Sequence, residues 1–507
     1  MHHPLSDRRQ MEKRRKPVIA WDHLLDSLAC DGQPTQTRLM RALGEWIDEG
    51  RLPGGVKLPS TRYLAAKLGI GRNTALFTLG CLVNQGYLVS RERSGIYVAE
   101  GRIASRVVAT ADPPSPSAVD WHSRFASEVL TLDVEPKPAL PAQIFPFQYG
   151  QFDVSLFPTS HWRECERAAL GVLEIADWGR DKFDGDDFEL IEQLRRNVLP
   201  HHGIWAQPDE IIVTLGGQQG RYLVARLLAG PGSKVGIENP GMPDMSKILR
   251  LTGADIRHLK VDDDGAVPSA EMDGCDTVIL TAGHQCPTTA MMPLARREEI
   301  LRRARSGDFI VVEDTYEMEL LRESGGVPAL KSLDSSGRVI YIGSLSKQMA
   351  PGLRVGFIVA PAPAIRQLRA LRRLMMRHPP GNNQRALAVF IERGYYATFV
   401  GRLAKEFGHR SMALQETSRR WLPDFGWKHR DGTSSFWFDM PTALDSSVLA
   451  EAARQHGVLV EPGTPFFDGH DVKRNFFRLG VSSVPTDRIE AGVKMLAGAA
   501  DGLRARC

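Results

Sequence analysis

The sequence predicts a multidomain chain: a small, mainly α helix-turn-helix module with a hairpin behind it, then a larger α/β domain. Three observations carry that prediction. At 507 residues the chain exceeds what one core holds, since domains run to ~100–200 residues. Residues 35–98 pack helix, turn and strand signals densely, whereas after Gly150 short Val- and Ile-rich runs alternate with helical stretches, the pattern of a sheet covered on both faces. Between them lies a stretch with Pro113, Pro114, Pro116, Pro136, Pro138, Pro141 and Pro146, the composition of a semi-rigid linker. With 42% hydrophobic and 24% charged residues, disordered and fibrous classes are excluded.

Residues 1–34 are expected to form a basic arm and lead-in, with the run Lys13-Arg14-Arg15-Lys16 and no apolar period. The net charge of +4 is unevenly spread: residues 1–100 hold 15 Lys/Arg against 10 Asp/Glu, leaving 49 against 50 in the rest. Clustered cations displace counterions from phosphate, so the N-terminal part is expected to meet an anionic partner. The six cysteines form no C-x-x-C pair and no zinc spacing, so no metal is expected and reduced thiols in the cytoplasm fit best. The N-terminus has no apolar h-region and no run of ~18 apolar residues occurs, so neither secretion nor a membrane partner is expected.

In residues 35–99 a helix ends near Gly50 and a turn runs through Pro53-Gly54-Gly55. Ser60 then stands as an N-cap ahead of Leu64, Ala65 and Leu68 on one face. Gly69-Ile70-Gly71 makes a tight turn, and a second helix opens with Arg72-Asn73-Thr74, carrying Leu79, Leu82 and Val83 inward. Two short helices joined by a Gly turn make a helix-turn-helix, whose second helix presents its first residues to base edges in the major groove. Arg suits guanine there and Asn suits adenine. A hairpin from Tyr87 to Val98, with a basic tip at Arg91 to Gly95, looks like a wing. The segments Leu58-Pro59-Ser60-Thr61-Arg62, Leu68-Gly69, Arg72-Asn73-Thr74 and Gly86-Tyr87-Leu88 resemble the winged helix-turn-helix of GntR-type regulators. That resemblance implies double-stranded DNA as a partner and Ser60, Arg62, Arg72, Asn73, Thr74, Ser94 and Gly95 as its contacts. Leu76 departs from relatives, which often carry a polar or basic residue there.

After the linker, residues 100–146, the domain over 147–507 holds the chemistry. The run Phe309 to Tyr316 delivers a carboxylate, Asp314, and then a phenol, Tyr316, to the end of an apolar strand, and ligands of open α/β sheets bind at that end. The strand Val339 to Gly343 runs into Ser344-Leu345-Ser346-Lys347, with Arg354 shortly beyond. A Lys amine, an acid for a pyridinium nitrogen and donors for a phosphate are what pyridoxal phosphate needs. Their order resembles that of fold-type I aminotransferases from about Phe147 to Val493, and the whole chain resembles MocR/GabR-type regulators.

The resemblance implies pyridoxal 5'-phosphate held by Lys347 as an internal aldimine, Asp314 on the pyridine nitrogen and Tyr316 on the ring hydroxyl. It further implies Ser344, Ser346, Arg354 and the turn Gly216-Gly217-Gln218 around the phosphate, and Arg478 on an effector carboxylate. Met242 occupies the place of the usual ring-stacking aromatic, and a thioether covers a ring face less rigidly. Cys286 stands where aminotransferases carry an Asn amide that donates to the ring hydroxyl. These departures speak against efficient turnover. The expectation is therefore a homodimeric transcription regulator that senses an amine or amino acid by aldimine exchange at Lys347. A working aminotransferase with a fused DNA-binding module remains the alternative.

Overall fold

The computed structural model describes residues 19, 21–26, 35–100, 119–126, 132, 144–183, 185–315, 317, 327–469 and 471–505. The basic run at 13–16, most of the 100–146 stretch and Tyr316 lie outside the described residues. The chain divides into two compact units, Met1–Ser123 and Arg124–Cys507.

In the first unit the helices are α1 (Trp21–Asp26), α2 (Thr35–Asp48), α3 (Thr61–Leu68) and α4 (Arg72–Asn84), followed by β1 (Leu88–Arg91) and β2 (Gly95–Val98). Ser60 caps α3, its side chain accepting the Tyr63 N–H at 3.2 Å. Gly69 ends α3 at φ 64°, a left-handed conformation that glycine adopts without a Cβ penalty, and its N–H bonds the Ala65 carbonyl. That stop lets α4 begin three residues later at a new angle. Leu64, Leu79 and Leu82 meet Leu39, Leu43 and Trp46 in one buried core, each fully buried Leu contributing ~1.5–3 kcal/mol. The strands pair antiparallel from Leu88↔Val98 to Arg91↔Gly95, giving the hairpin expected from the sequence.

In the second unit, eight described strands form one sheet: β3 (Ile211–Thr214), β4 (Lys234–Asn239), β5 (Asp255–Asp262), β6 (Gly265–Ala266), β7 (Thr277–Leu280), β8 (Ile310–Asp314), β9 (Val339–Ser344) and β10 (Gly356–Val359). Their spatial order is β3-β10-β9-β8-β7-β4-β5-β6. Neighbours from β9 to β5 run parallel, while β10 is antiparallel to both β9 and β3. Helices α5 (Gly216–Leu228), α6 (Pro243–Thr252) and α8 (Ala362–Met376) cover one face and α7 (Leu294–Ser306) the other. Val312 packs with Leu223, Leu249 and Leu368, whereas Val311 packs with Ile300 and Leu301. Both faces are therefore apolar, so the strands read as unbroken Val/Ile runs in the sequence.

A second, four-stranded antiparallel sheet was not foreseen: β11 (Gly426–His429), β12 (Ser435–Asp439), β13 (Glu461–Pro462) and β14 (Phe476–Gly480), in the order β11-β12-β14-β13. Its inner residues Phe436, Phe438, Phe477 and Leu479 pack with Leu414 of α9 (Tyr395–Trp421) and with Ile489, Val493 and Leu496 of α10 (Thr486–Arg504).

Candidate functional site

The register puts the functional groups at one edge. Tyr341 to Ser344 pair antiparallel with Val359 to Gly356, and Gly356 pairs with Thr214, so the ends of β3 and β9 meet the start of β10. Ile342 lies beside Asp314, which brings the end of β8 to the same edge. There Gly216 has φ +74°, and a Cβ on it would lie 3.3 Å from the Arg354 guanidinium, whose Nη2 donates to the Leu215 carbonyl at 2.7 Å. Only glycine leaves that passage between turn and guanidinium open. The first turn of α5 has no side-chain cap, so its N–H groups face this corner, and Gly217 lies within reach of the Ser344 Cβ. Ser346 differs from its reading as a phosphate ligand: it is 3% exposed, and its hydroxyl donates to the Val355 carbonyl at 2.9 Å while accepting the Val355 N–H. It braces the turn between β9 and β10, and binding an anion would require it to give up one of those bonds.

Asp314 is 3% exposed. Its Oδ2 accepts from Arg221 Nε at 2.6 Å, whereas its Oδ1 is buried without a hydrogen-bond partner. Arg221, one turn into α5, also donates from Nη1 to the Gln218 Oε1 at 2.9 Å, and Gln218 Nε2 donates to Asp244 at 3.0 Å. The Gln218 side chain is thus tied to this network, so only its backbone is left to serve the corner. Arg221 was missed in the sequence. Its signal in the sequence is an Arg three residues after the Gly-Gly-Gln turn, and the fold decides its burial.

Lys347 follows β9 on a short helix, Ser346–Met349, and its Nζ sits 4.0 Å from the Tyr149 ring centroid. Burial, reinforced by the nearby Arg478 and Arg221 cations, lowers its pKa from 10.5 to about 8. Lys347 and Arg478 line the same cleft of about 370 Å³, the Arg478 guanidinium carbon lying 4.3 Å from the Tyr149 ring centroid and 4.7 Å from that of Phe466. Arg478 and Glu461 are cross-strand partners of β14 and β13, joined by an Nε–Oε2 bond of 2.6 Å. Cys286 Sγ lies 3.5 Å from Arg478 Nη1, and Met242 lines the same cleft. Glu238, at the end of β4, is fully buried, which lifts its carboxyl from 4.5 to about 7 although the Thr281 N–H and hydroxyl hold it down. Tyr149, Glu461 and Glu238 were, like Arg221, absent from the sequence reading.

The donor set fits the phosphopyridine that the sequence pattern implied. A buried carboxylate oxygen without a partner matches a pyridinium N–H, since an unpaired buried acceptor is costly. The glycine-opened corner with its uncapped helix turn, guanidinium and Ser344 matches a phosphate.

On the first unit, Arg62, Arg72 and Asn73 are exposed along α3 and the start of α4, and Thr74 is half-buried. The hairpin tip is exposed as well: Ser94 Oγ lies 2.7 Å from Tyr97 Oη, and Gly95 turns at φ +117°. Arg91 stacks over the Tyr97 ring at 4.7 Å, with Lys57 at 5.8 Å, so Tyr97 holds two cations beside the tip. Lys57, bridged to Tyr97 by the backbone, was not singled out from the sequence.

Residues 35–98 match the model of the bacterial regulatory proteins of the gntR family, and residues 158–496 that of aminotransferase class I and II. The chain is similar to the HTH-type transcriptional regulator TauR of Rhodobacter capsulatus, 40% identical over 478 residues that cover 93% of this chain and 98% of that one. The probable rhizopine catabolism regulatory protein MocR of Rhizobium meliloti is 28% identical, with 92% and 94% covered. Among solved structures, the second unit is similar to LysN, an alpha-aminoadipate aminotransferase of Thermus thermophilus complexed with N-(5'-phosphopyridoxyl)-L-leucine, at TM-score 0.69 and 25% identity over 77% of this chain and all of that one. Kynurenine aminotransferase of Pyrococcus horikoshii, in complex with PMP, matches at TM-score 0.67 and 25% identity over 76% of this chain and 98% of that one.

Proposed function

This chain belongs to the MocR/GabR-type transcription regulators, with a GntR-type DNA-binding module and an aminotransferase class I and II domain whose cofactor is pyridoxal 5'-phosphate, and from that premise we propose that it senses an amine or amino acid at Lys347. The observation that carries the reading is the cleft itself: an amine with a pKa lowered to about 8 and a guanidinium over the same Tyr149 ring, with an unpaired carboxylate oxygen at the end of β8.

When bound, the cofactor supplies an aldehyde carbon that exchanges one amine partner for another. The side chains do the rest. Lys347 Nζ is lowered from 10.5 to about 8, so far more of it is deprotonated near neutral pH than of an ordinary lysine, and in that form it would bond the aldehyde carbon. Asp314 Oδ1 would accept the pyridinium N–H, and Arg221 on Oδ2 holds that carboxylate in orientation. Met242, which lines the cleft, would cover a ring face. Arg354, Ser344 and the N–H groups of Gly216, Gly217 and Gln218 would hold the phosphate. Arg478 receives the effector's carboxylate, which must share or displace Glu461. That exchange gives an effector contacts that the empty cleft lacks, and only such a difference shifts a population. The shift would pass to the DNA-binding module through residues 100–146.

We further propose a homodimer working in the cytoplasm. Val172 and Leu173, each 84% exposed, with Leu170 at 56%, form an apolar patch on the second unit that favours self-association. No helix among the described residues is long and apolar enough to cross a membrane.

The test is Lys347→Ala. It should abolish the visible absorption band of the purified holoprotein and the response of DNA binding to added amino acids, while basal DNA affinity persists. A variant that still responds to the same effector would remove Lys347 from sensing.

A further inference from the structure

Helix α4 of the DNA-binding module carries an unusual outer face. Its buried side holds Ala75, Thr78, Leu79 and Leu82. At 3.6 residues per turn, residues 72, 73, 76, 77 and 80 share the opposite arc, and all five are exposed. Leu76 is 58% and Phe77 62% exposed, one turn beyond Arg72 and Asn73. An aromatic ring and an isobutyl group left in water on a helix that has ample core of its own call for a partner surface.

Two further observations say what that surface is. The helix, Arg-Asn-Thr-Ala-Leu-Phe-Thr-Leu-Gly-Cys-Leu-Val-Asn, contains no acidic side chain, so a polyanion meets no repulsion along it. Gly80 follows on the same arc, and a Cβ built there would touch nothing within 4 Å. Nothing inside the unit requires glycine at that position, and glycine weakens a helix relative to alanine. A bare backbone on the outer arc admits close approach of a wall such as a sugar-phosphate strand.

We propose that Leu76 and Phe77 read the 5-methyl groups of thymines in the major groove, so that the operator half-site carries thymines one helical turn along from the bases met by Arg72 and Asn73. The reading rests on DNA binding by this module. Thymine is the base that presents an apolar group in that groove, and apolar side chains recognise it by contact. Such contacts add sequence preference without adding phosphate charge, so they are independent of the salt-sensitive attraction supplied by the module's cations.

The experiment selects binding sites for the full-length, cofactor-loaded protein from a pool of random duplex DNA, then replaces each thymine of the selected site by deoxyuridine, one at a time. Loss of a methyl at the contacted positions should weaken binding by about fourfold each, and thymines elsewhere in the site should be indifferent. Leu76→Ala and Phe77→Ala should each erase the penalty at one position, with circular dichroism and salt dependence unchanged. Both side chains are more than half exposed, and the thymine-to-deoxyuridine comparison on the unaltered protein needs no variant. Equal affinity for the two forms at every position overturns the proposal, as does a penalty that persists in the double variant, which is what an equal loss for both DNAs would mean. If no duplex is enriched at all, the DNA-binding reading itself fails, a result distinct from the others.

Discussion

The two units display their functional groups in opposite ways. Arg72, Asn73 and the tip at Ser94-Gly95 stand exposed on the first unit, where water screens every charge. In the second, Asp314 and Glu238 are 3% and 6% exposed, and burial has moved Glu238 to about 7 and Lys347 to about 8. A long polyanion is gripped by many solvated contacts whose strength lies in counterion release. A small amine must instead be caught by one reactive group, and its reactivity near neutral pH is obtained by withholding water. Exposure and burial are therefore the working conditions of the two tasks.

Substitutions can break this contrast, and the largest effect is expected at the buried ion pair. Asp314→Ala leaves Arg221 charged and unpaired, which costs ~3–5 kcal/mol where one partner of a buried pair is removed. Calorimetry of the cofactor-free protein should show that loss in the unfolding of the larger unit. Were the pair as weak as a surface one, the change would stay under ~1 kcal/mol.

Next comes Glu238. Its carboxyl holds a proton to about pH 7 in the fold against 4.5 ordinarily, so it stabilises the folded chain below pH ~4.5 and loses that contribution as pH rises through 7. Glu238→Gln, neutral throughout, should flatten this slope and gain ~3 kcal/mol over the unaltered protein above pH 7, the equivalent of the shift at 1.36 kcal/mol per unit. Urea denaturation at a series of pH values measures it, and parallel curves for the two proteins would contradict the burial argument.

The smallest effect is sought on the exposed side. Arg72→Ala should cost ~1–3 kcal/mol of discrimination at one base, read by binding assays on matched and mismatched duplexes, while the rate of cofactor capture still rises with pH through about 8 as Lys347 loses its proton. A changed pH profile in that variant would mean that the two regions are not separate in their chemistry.

Much of this was legible beforehand, and the reason is local. Ser60, Gly69 and the polar start of α4 announce a helix-turn-helix because caps and turns are decided within a few residues. The strands that end at Asp314 and Ser344 were visible because both faces of the sheet are covered, which writes an unbroken apolar run. Ser346 shows the limit of the same reasoning: its position beside Lys347 suggests a ligand, yet its hydroxyl is held by the backbone of Val355, nine residues on. The four-stranded sheet is not announced in the same way because its strands mix aromatic and charged residues in place of Val/Ile runs and β13 has two residues.

The sequence by itself determined the two-part organisation and the apolar strands that end at the cleft, which follow from periodicity and turn chemistry, properties of short stretches. The amine, the acid and the guanidinium were named by the resemblance to fold-type I aminotransferases, carried by motifs that are equally local. Only the tertiary structure decided the partners: Arg221 on Asp314 across 93 residues, Glu461 on Arg478 across a strand pair, and Tyr149 beneath both Lys347 and Arg478. It also decided how far each pKa moves. Desolvation and Coulomb attraction depend on distance and on the water excluded, and both are fixed when remote segments pack together.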